Sequence, residues 1–212
     1  MERIICLAAG YLCGLFQTGY IYGKLHGIDI RSYGSGNSGS TNALRVMGKK
    51  AGLTVFVGDS LKTVIPCFIT RLLFKDQPEL MYVYMLYTGL GVILGHNFPF
   101  YLGFKGGKGI AATAGILLAV NPKVAIVAYL TFIVIVVATR YVSLGSIILV
   151  IMFAIGMVVQ GEIFGTTLTV PERYELYALS IFLTILAIYK HKENIKRLLH
   201  GTENKLSFSK KK

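Results

Sequence analysis

The chain alternates between long apolar runs and short polar stretches, and the length of the runs sets the first expectation. Apolar runs cover residues 4–22, 52–74, 80–98, 110–120, 124–137, 143–159 and 174–189. A helix needs about 17–25 residues to cross a bilayer core of ~30 Å, because it rises ~1.5 Å per residue. Most of the runs meet that length. Those at 110–120 and 124–137 fall well below it, so they are either two short spans extended by polar residues or one re-entrant hairpin. The pattern therefore predicts an all-α integral membrane protein, a bundle of about seven transmembrane helices. Residues 1–212 form a single membrane-embedded domain on this reading, with a basic tail over 205–212 that takes no fixed structure. No convincing cleavage site follows the first run, which is expected to be a retained span.

Composition agrees with the pattern. The chain is 54% hydrophobic, with mean hydropathy +0.61, above the ordinary range for soluble domains. The three cysteines, Cys6, Cys13 and Cys67, all sit inside apolar runs. They have no metal-ligand spacing, and packing as small hydrophobes explains them.

The net charge of +12 would suggest nucleic acid in a soluble protein. Here its placement matters more. With the N-terminus outside, sixteen of the 22 Lys and Arg residues fall on the inner side. They include Lys24, Arg31, Arg45, Lys105, Lys108, Arg140, Lys190 and Arg197. Positive residues favour the cytoplasmic face, so the expected orientation is N-terminus outside and C-terminus cytoplasmic, with no nucleic-acid partner. That orientation gathers the polar motifs on one side of the membrane.

The first motif is Gly34-Ser-Gly-Asn-Ser-Gly39, followed by Ser40, Thr41, Asn42 and Arg45. It matches G-x-G-x-x-G in form, but a dinucleotide site needs a preceding strand and an acid about 20 residues on. Here a membrane span precedes it, and the acid at that distance, Asp59, lies within the next span. What remains is a backbone anion cradle with side-chain donors and an arginine fork. Leu44 and Val46 suggest a short helix after the turn, whose first amides near Ser40–Asn42 would add to it. The second motif, Gly95-His-Asn-Phe-Pro99 with Gly103-Phe-Lys-Gly-Gly-Lys-Gly109, resembles a phosphate-binding loop but lacks Ser or Thr after Lys108. Gly106 and Gly107 around Lys108 still read as an anion nest, with His96 beside it at a helix end. The third motif, His191 to Arg197, puts His191, Asn194 and Arg197 on one face if the last helix continues. Asp59 and Lys62, three apart inside a span, read as an internal ion pair.

No H-x₄-D, G-x-S-x-G or H-E-x-x-H pattern occurs, nor a Cys/His cluster. Acids on the inner side are few: Asp29, Glu193 and Glu203. Neither metal nor cofactor is expected. A substrate that arrives anionic and activated would need only positioning and charge stabilisation. A transporter for a small phosphorylated or anionic solute is the main alternative. It should show an internal repeat or polar groups at mid-membrane depth, and no repeat is evident. A phosphoglycosyl- or nucleotidyl-type lipid enzyme would want acidic metal ligands on the inner face.

Taken jointly, the three motifs and Arg140-Tyr-Val-Ser-Leu144 resemble the acyl-phosphate-dependent glycerol-3-phosphate acyltransferases of bacteria, over nearly the whole chain. The resemblance implies a seven-helix enzyme of the bacterial inner membrane, with its active site on the cytoplasmic face. It implies transfer of a fatty acyl group from acyl phosphate to glycerol 3-phosphate, giving lysophosphatidic acid in phospholipid biosynthesis, and contact with the enzyme that makes acyl phosphate. Ser35, Arg45, Lys108 and His191 are then the expected catalytic residues. Gly36, Asn37, Gly39, Thr41, Asn42, His96, Gly106, Gly107, Ser143, Asn194 and Arg197 are expected to bind substrate. Within that set, Ser35, Gly36, Asn37, Arg45, Lys108 and Ser143 are assigned to the acyl donor's phosphate. His191, Asn194 and Arg197 are assigned to glycerol 3-phosphate.

Overall fold

A computed structural model describes residues 1–163 and 168–206. Among them are ten α-helices and no strand. These are α1 (Glu2–Gly14), α2 (Thr18–Leu25), α3 (Ser40–Met47), α4 (Lys49–Leu73), α5 (Pro78–Asn97), α6 (Ile110–Val120), α7 (Pro122–Thr139), α8 (Val142–Ile163), α9 (Val170–Lys190) and α10 (Lys192–Leu199). Among the described residues, four stretches are long and apolar enough to cross a membrane: Glu2–Leu25, Lys49–Leu73, Pro122–Thr139 and Val142–Val159. Helices α5 and α9, of 20 and 21 residues, are comparable in length.

Exposed apolar side chains line the outer faces. Leu61, Ile65, Phe68, Ile69 and Leu72 stand out from α4, and Ile126, Leu130, Ile133 and Val137 from α7. Apolar surface on this scale is not left to water, and lipid covers it. Helix α5 is the opposite case. Fourteen of its residues are buried, which makes it the central helix, packed on by α1, α4, α6 and α9.

The run at 4–22 is two helices. The break falls at Leu15–Gln17, and Gln17 explains how a membrane protein tolerates it. Its fully buried Nε2 donates to the carbonyls of Gly14, Gly95 and His96 at 3.1–3.3 Å. Carbonyls freed at a helix end are thus satisfied inside the bundle, as they must be away from water. Helix α1 then lies against α5 at backbone contact. A Cβ on Gly10 would meet the Thr88 carbonyl, and one on Gly91 the Leu7 carbonyl. Small residues on both faces allow this approach. Gly91→Leu is expected to destabilise the fold by at least ~1–3 kcal/mol, the range for overpacking a filled site. Thermal unfolding of the purified protein in detergent reads it.

The two short runs resolve unequally. Helix α6 has only 11 residues. Helix α7 reaches 18 residues because its start lies before the apolar run. Asn121 Oδ1 accepts from the amides of Lys123 and Val124, both at 3.1 Å, and Pro122 takes the first helical position, where no amide is needed. The polar stretch expected over 160–173 is narrower, since α8 runs to Ile163 and α9 starts at Val170. Of the expected tail, Lys205 and Leu206 lie against the α7–α8 turn, where the Leu206 amide donates to the Arg140 carbonyl at 2.7 Å. Residues 207–212 lie outside the described residues.

Candidate active site

A cavity of about 140 Å³ lies where α3, α10 and the loop before α6 meet α4, α7 and the start of α8. Twelve of the fifteen predicted site residues line it: Ser35, Asn37, Gly39, Thr41, Asn42, Arg45, His96, Lys108, Ser143, His191, Asn194 and Arg197. Gly36, Gly106 and Gly107 do not.

The first wall is the loop before α3. Gly34 and Gly36 take positive φ, while Gly39 is extended at φ −78°. Asn42 holds the loop together from inside. Its Nδ2 donates to the carbonyls of Ile30, Tyr33 and Asn37, and its Oδ1 accepts the Ser35 amide at 2.9 Å. These bonds occupy its polar atoms, so Asn42 shapes the cradle. The predicted helix is present as α3. The Asn42 amide already bonds the Gly39 carbonyl, which leaves the Ser40 and Thr41 amides as the donors of that helix end without a partner among the described residues. Arg45, on the same helix, has no ion-pair partner among the described residues.

The second wall is the loop carrying Lys108. Its amides do not form the expected nest, because Gly106 N–H donates to the Asn97 carbonyl and Gly107 N–H to the His96 carbonyl, at 3.2 and 3.1 Å. The glycines allow contact instead, since a Cβ on Gly107 would strike the His96 ring. The loop is thereby strapped to the end of α5, and this fixes the starting point of Lys108. The Lys108 Nζ donates to Asn194 Oδ1. Burial pulls the lysine down to about 8, helped by Arg197, Lys190 and Arg45 and opposed by Glu203.

The third wall is α10. The last membrane helix does not run on through it; the chain breaks at His191 (φ −98°, ψ 6°) and restarts at Lys192. His191, Asn194 and Arg197 nevertheless reach the same cavity. His191 Nδ1 lies 2.8 Å from the Ala187 carbonyl. A carbonyl only accepts, so Nδ1 carries the proton and Nε2 is the acceptor. Burial first, then the nearby Lys108 charge, holds His191 down to about 4, so it is neutral at physiological pH. Glu203 closes the wall, accepting from Asn194 Nδ2 at 3.0 Å and Arg197 Nε at 2.8 Å.

The floor is a buried ion network, and two of its members, Asp59 and His96, line the cavity. Lys62 Nζ reaches Asp59 Oδ1 at 2.9 Å, the Phe16 carbonyl at 2.7 Å and His96 Nδ1 at 2.7 Å. An ammonium has three protons, and all three are engaged. His96 Nδ1 is therefore an acceptor and its ring is neutral. Thr18 Oγ1 adds a bond to Asp59 at 2.9 Å. The ion pair read from the sequence is present, with His96 as an unforeseen third member. Ser143 sits at the start of α8, and its buried hydroxyl has no partner among the described residues. An unsatisfied buried hydroxyl facing a cavity is a place for a ligand atom.

A bundle with lipid-facing sides and a polar, cation-lined cavity at its helix ends defines a membrane enzyme acting on an anionic substrate. The sequence model described as glycerol-3-phosphate acyltransferase matches residues 4–201. A glycerol-3-phosphate acyltransferase of Alkaliphilus metalliredigens is 39% identical over 207 residues, covering 97% of this chain and 97% of the relative. Crystal structures of PlsY, an integral membrane glycerol 3-phosphate acyltransferase, are also similar. Its glycerol 3-phosphate form has TM-score 0.85 at 37% identity, covering 98% of this chain and 96% of that one. Its lysophosphatidic acid form has TM-score 0.82 at 36% identity, covering 98% and 97%. The chain belongs to the glycerol-3-phosphate acyltransferase family and is an integral membrane acyltransferase.

Proposed function

We propose that this cavity transfers a fatty acyl group from acyl phosphate to the 1-hydroxyl of glycerol 3-phosphate, releasing lysophosphatidic acid and inorganic phosphate. The observation that carries the reading is convergence. Arg45, Lys108 and Arg197, with the unpartnered Ser143 hydroxyl, face one cavity that Phe56, Ile110 and Phe132 line on its apolar side. Two phosphates and an alkyl chain need that combination. The acyl chain lies between helices toward the bilayer, where each CH₂ is favoured by about 0.8 kcal/mol.

Acyl phosphate is a mixed anhydride, so its carbonyl is already electrophilic. Ser35, Asn37, Arg45, Lys108 and Ser143 hold its phosphate, and His191, Asn194 and Arg197 hold glycerol 3-phosphate. The 1-hydroxyl attacks the acyl carbon, the C–O bond to phosphate breaks, and the departing phosphate takes the hydroxyl proton. His191 is too weak a base for that step while its value stays near 4; its Nε2 accepts a hydrogen bond from the attacking hydroxyl and orients it. His191→Ala is therefore expected to raise KM for glycerol 3-phosphate more than it lowers kcat. A loss confined to kcat would make His191 the base.

The active form of Lys108 is the cation, which persists below its value of about 8. We expect kcat/KM to fall as pH rises through that region, since this ratio reports groups of the free enzyme. Lys108→Arg, whose guanidinium stays charged, should lack that limb at whatever rate it retains.

We place the N-terminus outside and the site on the cytoplasmic face, with seven spans formed by α1 with α2, and by α4 to α9. Acyl phosphate then arrives from its producing enzyme at the inner leaflet. Incubation of the purified protein with acyl phosphate and labelled glycerol 3-phosphate, without added metal or coenzyme A, tests the proposal. Acylated glycerol 3-phosphate is the expected product, and its absence overturns the reading.

A further inference from the structure

We propose that Glu203 is a positioning residue for acyl transfer: its carboxylate sets the orientation of Asn194 and Arg197 so that Lys108 meets the substrate phosphate as a cation. The proposal rests on the reading of Lys108 as a phosphate-holding group.

The geometry is a relay. The Glu203 side chain is only 6% exposed, and a carboxylate accepts hydrogen bonds without donating any. It takes Asn194 Nδ2 on one oxygen and Arg197 Nε on the other, at 3.0 and 2.8 Å. With its amino end held, Asn194 must turn its carbonyl oxygen the other way, and that oxygen receives Lys108 Nζ. The opposite amide orientation would aim two donors at an ammonium. Glu203 thus fixes the one orientation in which the Lys108 cation has an acceptor.

The chain delivers Glu203 rigidly. After α10, Gly201 turns at φ +68°, and the Thr202 amide donates to the Arg197 carbonyl at 2.9 Å. Three residues past Glu203, Leu206 and Arg140 exchange two bonds, Leu206 N–H to the Arg140 carbonyl at 2.7 Å and Arg140 Nε to the Leu206 carbonyl at 3.1 Å. The segment is pinned on both sides of the carboxylate.

Charge points the same way. Lys108 faces Arg45 from α3, Lys190 from the end of α9, neutral His191 at the α9–α10 break, Arg197 from α10 and Glu203. Asp59 also lines the cavity, but its carboxylate is engaged by Lys62 and Thr18. Glu203 is therefore the anion that keeps Lys108 protonated against its cationic neighbours before substrate arrives. The competing idea is a carboxylate that occupies Arg197 and blocks phosphate. It predicts the opposite sign, since removing the charge would then tighten substrate binding.

The experiment compares wild type, Glu203→Gln and Glu203→Asp, purified in detergent and assayed with acyl phosphate and glycerol 3-phosphate across the alkaline range. For Glu203→Gln we expect KM for glycerol 3-phosphate to rise about tenfold, the scale of one lost charge-assisted contact. We also expect the alkaline limb of kcat/KM to move to lower pH. Glu203→Asp keeps the charge and should hold the limb closer to wild type. A merely structural glutamate would lower activity without moving the limb. An unmoved limb in Glu203→Gln, or a lower KM, overturns the proposal. If Glu203→Gln fails to fold, Glu203→Asp carries the test, because its shortened arm should raise KM and shift the limb partway; wild-type values for both would refute the role. Failure of the underlying reading shows separately, as an active Lys108→Ala.

Discussion

Lys108→Ala is expected to lose about 10²–10³ in kcat/KM, the loss typical of removing one preorganised donor from a site of developing charge. The size follows from where the lysine sits. Its loop is held to the end of α5 by the Gly106 and Gly107 amides on the carbonyls of Asn97 and His96. Its ammonium is held by Asn194. The cation is therefore aimed before substrate binds and need not reorganise during reaction. A flexible surface lysine would give up far less, because water and its own motion would already have weakened it. Initial rates for the variant, with an unfolding temperature near wild type to show an intact bundle, are the measurement. Near-normal activity would remove Lys108 from the site.

Much of this site was legible because its residue types have little other use beside a membrane. A glycine-rich, bulk-free stretch ending in Arg45 marks an anion cradle whatever its exact turns, and Lys108 among four glycines does the same. What sequence could not show was how backbone groups are shared out. The Gly106 and Gly107 amides look like a nest until α5 is seen to take them. Asn42 looks like a ligand until three carbonyls are found on its amide. Such partners are distant in sequence or set by turn geometry, and no local pattern encodes them. The role of Gln17 is illegible for a related reason. A lone glutamine in an apolar run looks like a blemish in a span, while here it satisfies the carbonyls at a helix break. Glu203 stood out only as one of few inner-side acids, and its importance depends on a chain reversal after α10. The break at His191 was also hidden, since Tyr189 to Leu199 contains no proline or glycine to announce it.

Asp59→Ala is expected to destabilise the protein by about 3–5 kcal/mol, the range for breaking a buried ion pair from one side. Asp59 is 1% exposed, and its loss leaves the Lys62 ammonium buried among a neutral imidazole and a carbonyl. The effect should extend to the site, because Lys62 holds both the Phe16 carbonyl at the α1–α2 break and His96 beneath the Lys108 loop. With that charge uncompensated, the floor of the cavity loosens where Gly107 rests on the His96 ring. Replacing both partners separates charge from packing. Asp59→Asn with Lys62→Met removes both formal charges at similar volume, and it should recover much of the unfolding temperature lost in Asp59→Ala. It should not recover full activity, since Met cannot donate to His96 Nδ1 or the Phe16 carbonyl. Unfolding temperatures and kcat/KM for the single and double variants check both halves. A double variant as unstable as Asp59→Ala would show that packing, and not the stranded charge, sets the loss.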